Sequence, residues 1–121
     1  MHFDSTTMTL KGKTFTIEIA DTDAKTQRGL MNRDSMADDH GMLFIFPQPD
    51  HLEFYMKNTR FPLDIVFLDA NRRVVAIEQR APFDETSHGP AVPTQFVIEL
   101  NLGTAKNIGL VRGDVVELPV K

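Results

Sequence analysis

Phe54-Tyr55-Met56-Lys57-Asn58-Thr59-Arg60-Phe61-Pro62-Leu63-Asp64-Ile65-Val66-Phe67-Leu68 is the stretch whose reading decides the fold of this chain. Two apolar runs, Leu52 to Met56 and Leu63 to Leu68, flank a connection, Lys57 to Pro62, rich in turn-forming residues. Short apolar runs bounded in this way read as strands. Paired as a hairpin, they put Lys57 and Asp64 near the same end, within reach of one another. A cation, an amide (Asn58) and a carboxylate set between apolar strands must either satisfy one another or serve something that binds.

Working outward, Asp69-Ala70-Asn71-Arg72 is turn chemistry, and Arg73 to Gln79 returns as a strand in a tight antiparallel hairpin. The segment 81–93 carries three prolines and a glycine, which excludes a helix or central strand. Phe96 to Leu100 is the next strand. A short helical turn over Thr104 to Ile108 and a last strand, Val115 to Leu118, follow. Toward the N-terminus, Gly41 to Phe46 is apolar on both faces and reads as a buried central strand. Asp21-Thr22-Asp23 offers capping oxygens to a helix through Arg28 that Gly29 ends, and Arg33 to Met36 suggests one more turn. Thr14 to Ile19 alternates cleanly, with Phe15, Ile17 and Ile19 on one face, and Met8 to Leu10 is its expected hairpin partner. The fold class that follows is α+β, mostly antiparallel β: one domain over residues 1–121, a compact barrel-like sheet with one or two short helices.

Composition narrows the function classes. The 121 residues hold 13 Lys and Arg against 17 Asp and Glu, a net charge of −4, and only Arg72-Arg73 are adjacent basic residues. A nucleic-acid binder needs a basic face, so no nucleic-acid partner is expected. The absence of cysteine excludes disulfides, thiolate metal sites and cysteine nucleophiles. His40, His51 and His88 show no metal-ligand spacing, so neither a metal nor a cofactor is expected. No apolar run approaches the roughly 20 residues of a membrane span. The start, Met1 to Thr7, lacks the charged-then-apolar pattern of a signal peptide. Either the protein is cytoplasmic or a leader has been trimmed.

Asp64 and Glu99 are carboxylates inside apolar strands, and burying one costs several kcal/mol by rough reckoning unless it is paired or hydrogen-bonded. Arg28, Lys57, Arg60 and Arg80 are the available cations. Two readings stand side by side: a ligand-binding or acid/base group with a tuned pKa, or a structural ion pair or backbone-capping carboxylate. Lys57-Asn58-Thr59 divides in the same way, between a cavity mouth and a plain turn. Glu99 and Asn101, two apart, share a strand face, with Leu100 and Leu102 pointing the other way. That pair suits a polar ligand or a cap on the following helix. Met31, Met36, Met42 and Met56 are core filling or a pliable ligand surface.

Arg28-Gly29-Leu30-Met31, Gly41-Met42-Leu43-Phe44 with Pro47, the Phe54 to Thr59 segment, Pro62-Leu63-Asp64-Ile65 with Phe67, Glu99-Leu100-Asn101, Gly103 and Gly113-Asp114 form an ordered set. In order and spacing it resembles the bacterial and archaeal family catalogued as domain of unknown function 192, over about residues 15–118. The resemblance implies a compact, mainly β, barrel-like domain, and export, since members commonly carry a leader or lipoprotein signal. A periplasmic or extracellular location is therefore expected. It implies no activity, substrate or cofactor. Tyr55 departs from the Trp that many relatives carry.

Three functional readings follow. The first is a small extracytoplasmic domain that binds a saccharide or envelope metabolite in a pocket rimmed by Lys57, Asn58, Asp64 and Glu99, with Arg28 and Tyr55 contributing. The second is a hydrolase using Asp64 and Glu99 as an acid/base pair. The third is a protein-interaction module working through the Pro82 to Pro93 loop or an open strand edge. The oligomeric state is left open.

Overall fold

The computed structural model describes residues 1–120. Its strands are β1 (Ser5–Leu10), β2 (Lys13–Ala20), β3 (His40–Asp50), β4 (Leu63–Leu68), β5 (Val74–Arg80) and β6 (Thr94–Asn101). Two short helices, α1 (Asp23–Arg28) and α2 (Thr104–Ile108), complete the elements. The strands form one sheet in the order β1-β2-β3-β6-β4-β5, antiparallel throughout except for the β2–β3 pair. The α+β class holds. The barrel does not close, because β1 and β5 remain the two edges of an open sheet.

Local chemistry explains most of the path. Lys11 and Gly12 both adopt positive φ, at 51° and 83°, the backbone twist that closes a two-residue hairpin between β1 and β2. Parallel strands cannot be joined by so tight a turn, and α1 lies in the longer connection that brings β3 alongside β2. Where β3 meets β6, a Cβ on Gly41 would stand 2.8 Å from the Glu99 carbonyl oxygen, so only glycine admits the approach. Every residue of β4 is buried, Asp64 included, because β5 and β6 flank it and both its faces are covered. The turn after β4 is tied by Asp69, whose Oδ1 accepts from the Asn71 and Arg73 amides at 2.9 and 3.0 Å.

The sheet carries a core on each face. One packs Phe15, Ile17, Leu43, Val66 and Ile98 against α2 and the C-terminal Val116 and Leu118. The other packs Met42, Phe44, Ile65, Phe67 and Val97 beneath Leu30, Met56 and Phe61, which come from connections rather than strands. Met42 and Met56 are thus core residues, while Met31 and Met36 are only partly buried.

Several expected elements are not formed. Leu52 to Met56 makes a single bridge, Phe54 to His88, and crosses the sheet face as a covering segment; no hairpin with β4 exists. Val115 to Leu118 likewise has one bridge, Val115 to Arg73, although Val116 and Leu118 are buried. Residues 33–36 form no helical turn. Leu102 is 48% exposed rather than core. Among the described residues no helix is long and apolar enough to cross a membrane.

Candidate functional site

The site is assembled from one short helix, one covering segment and the sheet beneath them. Thr22 caps α1, accepting from the Lys25 amide at 3.2 Å, and the helix stops at Gly29, whose φ of 48° and ψ of −133° suit glycine alone. A Cβ at that position would lie 3.3 Å from the Phe44 ring and 4.0 Å from Glu99 Oε1. The bare glycine therefore lets the chain leave α1 directly over Phe44 and Glu99.

The opposite wall is the covering segment, residues 52–59, strapped down by Arg80. That side chain is 5% exposed; its Nη1 donates to the Phe54 carbonyl at 2.8 Å and its Nη2 to the Thr86 carbonyl. Asp84 and Glu78 lie 3.7 and 3.8 Å from the guanidinium, which balances its charge. The Met56 amide donates to Asp84 and the Phe83 amide to Thr59, at 2.7 and 3.0 Å. Residues 52–59 and 83–88 thus form a paired cover over the sheet.

Between α1 and this cover lies a cleft of about 280 Å³. Phe44, Phe46 and Glu99 line its sheet side, Arg28 and Gly29 one wall, and Phe54 and Tyr55 the other. Phe54 packs edge-on against Phe44 and Phe46, with centroids 5.1 and 6.3 Å apart, so the cleft has an aromatic lining. Glu99 is 4% exposed. No hydrogen bond or ion pair reaches its carboxylate from any of the described residues. Burial pushes its pKa up to about 8, a rise only partly offset by the Arg80 guanidinium.

The six expected site residues separate. Arg28, Tyr55 and Glu99 meet at the cleft. Lys57 and Asn58 do not line it: they are exposed and form the turn closed by Thr59 N–H to Met56 O at 3.0 Å, with Asn58 at a φ of 55°. Asp64 lies on the other face of the sheet. It stands opposite Leu100 on β6, whereas Glu99 stands opposite Ile65, and side chains alternate along a strand. Asp64 Oδ2 accepts from the Ala105 amide at 2.9 Å and so caps α2, whose own cap position, Gly103, has no side chain. Its Oδ1 has no partner. The four-residue rim of Lys57, Asn58, Asp64 and Glu99 is therefore not assembled. Nor is the paired-carboxylate arrangement of a hydrolase, because the two acids face opposite ways.

Of the other candidates, Arg60 pairs with Asp34 at 2.7 Å, and Asn101 holds the loop after α1 by donating to the Met36 carbonyl at 2.7 Å. Among the described residues no three His, Asp or Glu side chains cluster as a metal site would need. Sequence reasoning missed the aromatic lining and Gly29's part in it. The signal was present in Arg28-Gly29 and in the Phe44 and Phe46 alternation, but the packing of the cover was not.

Comparison with known proteins places this geometry. A crystal structure from Novosphingobium aromaticivorans, of a protein of unknown function, is 39% identical and superposes with a TM-score of 0.85, over 96% of this chain and 85% of that one. A second, from Sinorhizobium meliloti 1021, is 35% identical with a TM-score of 0.86, over 97% and 95% of the respective chains; its description proposes a transcription regulator. No protein of curated function matches. The family model described as "Uncharacterized ACR" matches residues 6–118, and the chain belongs to that family, domain of unknown function 192.

Proposed function

We propose that this chain is a small-ligand-binding domain whose ligand seats in the cleft between the end of α1 and the covering segment. The observation that carries the proposal is Glu99, a buried carboxyl without a protein partner beside an open, aromatic-lined cleft. The Glu99 carboxyl opens onto the cleft and receives no hydrogen bond from the described residues, so its oxygens are unused acceptors there. A partner arriving through the cleft engages them. A saccharide or a related envelope metabolite fits, having hydroxyls for Glu99 and an apolar face for the aromatic side chains. Arg28 and the 44% exposed Tyr55 stand where they can contact it. Lys57 and Asn58 serve by shaping the turn.

An extracytoplasmic location belongs to the same reading, supported by the family resemblance. A regulator role like that proposed for the Sinorhizobium protein suits this chain only as a ligand sensor, since its net charge is −4 and its basic residues are scattered. The second reading, an interaction module, draws on Phe83, which is 59% exposed. Its sequence neighbours Ala81, Pro82, Glu85 and Thr86 are small or polar, so the cleft reading leads.

Amide chemical-shift mapping with a panel of neutral, amino and phosphorylated monosaccharides tests the proposal. Shifts are expected at Gly29, Phe46, Tyr55 and Glu99. An unmoved spectrum at millimolar sugar, or shifts confined to the Phe83 loop, would sink it.

A further inference from the structure

Two opposite charges border the cleft without meeting. Arg28, the last residue of α1, is exposed and makes no ion pair or side-chain hydrogen bond among the described residues. Glu18, which borders the outer side of Arg28, is already engaged by both guanidinium nitrogens of Arg33. Glu99 is buried, and the guanidinium whose charge it feels, Arg80, is held by the Phe54 and Thr86 carbonyls. One side of the cleft therefore holds a cation without an anion, and its sheet side a carboxyl that no protein group engages.

Resting on the cleft reading above, we infer that the ligand is a small zwitterion, with an ammonium group directed to Glu99 and a carboxylate or phosphate held by Arg28. The scaffold between them is of monosaccharide size, as the cleft of about 280 Å³ allows. The aromatic lining from Phe46 and Phe54 suits an ammonium group beside Glu99, because any ring face that it reaches attracts it. A guanidinium grips planar carboxylates and phosphates through two parallel hydrogen bonds, which a lysine cannot do. Glu53, on the wall opposite Arg28, repels an anion and so orients the ligand. A neutral sugar leaves the Arg28 charge unanswered.

The titratable and charged groups around Glu99 are Arg28 on α1, Glu53 and Tyr55 on the cover, and Arg80 and Glu78 on β5. Burial keeps a proton on Glu99 at neutral pH, and an arriving ammonium displaces it to solvent. Binding of an ammonium near neutral pH is therefore expected to release protons, whereas a hydroxyl ligand releases none.

Calorimetry with four probes tests this: glucosamine 6-phosphate, glucosamine, glucose 6-phosphate and glucose, joined by ω-amino acids of graded length to vary the charge separation. The doubly charged amino sugar, or an amino acid of matching length, is expected to bind about tenfold or more tighter than any singly charged probe. Repeating the titration in buffers of different ionisation enthalpy should show proton release. Arg28→Gln should erase the preference for phosphate, and Glu99→Gln the preference for amine and the proton release, with each variant's unfolding curve confirming that it is folded. Glucose binding as tightly as the zwitterions, without proton release, overturns the inference and leaves the cleft reading standing. No binding by any probe overturns both.

Discussion

Asp64 and Glu99 sit on neighbouring strands, one register step apart, and face opposite sides of the sheet. Both are acids inside apolar strands and both are buried, at 1% and 4% exposure. Their surroundings give them different work. Asp64 meets the buried start of α2 and accepts a hydrogen bond from its Ala105 amide. Glu99 meets aromatic rings and a cleft. Two acids in similar apolar strands thus have different surroundings, one bonded to a helix start and the other at a cleft.

Asp64 should behave as a distant helix cap. Asp64→Ala leaves the Ala105 amide without its acceptor and is expected to cost about 1–2 kcal/mol in urea unfolding, as for lost capping groups generally. Asp64→Asn keeps an oxygen for that amide and should cost less. Equal losses for the two substitutions would show that the cap contributes nothing.

Glu99 should make stability fall as the solution becomes alkaline. Its folded pKa of about 8 lies above the ordinary 4.5, so the folded state holds a proton that the unfolded state gives up between those values. The contribution is complete below about pH 4.5, declines as pH rises toward 8 and is flat beyond, a total on the order of a few kcal/mol. Glu99→Gln cannot ionise and should lose that slope, ending more stable than the parent at pH 9. Parallel pH profiles for parent and variant would exclude the raised pKa.

The strands were legible where the side-chain pattern is local. Thr14 to Ile19 alternates and Gly41 to Phe46 is apolar on both faces, and both are strands, although β3 runs on through Pro47 to Pro49, expected to close it, as far as Asp50. The two misread strands fail for one reason. Leu52 to Met56 and Val115 to Leu118 carry apolar residues because they cover a core, and covering needs burial of alternate side chains without a ladder. Sequence pattern reports burial, and it cannot tell a strand in the sheet from an extended segment lying on it. The site was half legible on the same grounds. Parity within β6 set Glu99 beside Asn101, but the face that Asp64 takes relative to Glu99 depends on the register between β4 and β6, which is long-range information.

Gly89, which directly follows the second segment of the cover, should resist replacement. A Cβ there would fall 1.7 Å from the Leu52 carbonyl oxygen, a backbone atom that cannot move without opening the cover. Gly89→Ala is expected to cost about 3 kcal/mol, at the upper end of overpacking effects. Hydrogen exchange should show the amides of the Phe54–His88 bridge losing protection while the amides of β4 keep theirs. Full protection at Phe54 and His88 in the variant would mean that the crossing tolerates a methyl group.

Arg80 should hold the cover closed, and only an arginine can do so. Its fork spans two carbonyls from separate loops, Phe54 and Thr86, while its charge is met by Glu78 and Asp84. Arg80→Lys keeps the charge but supplies a single point donor, and it should lose one of the two anchors. Arg80→Met removes both anchors; the Phe54 carbonyl keeps the His88 amide as a donor, so the cost is expected to be about 1–3 kcal/mol, from the lost charge-assisted bonds. The clearest readout is local. The Met56 and Phe83 amides, which bond across the two halves of the cover, should exchange faster in Arg80→Lys and faster still in Arg80→Met. Because the same guanidinium partly offsets the rise in the Glu99 pKa, Arg80→Met should also raise that pKa further. Carboxyl-selective NMR titration of Glu99 in the parent and in Arg80→Met checks this, and a midpoint that stays where it was would mean that Arg80 acts on the loops alone.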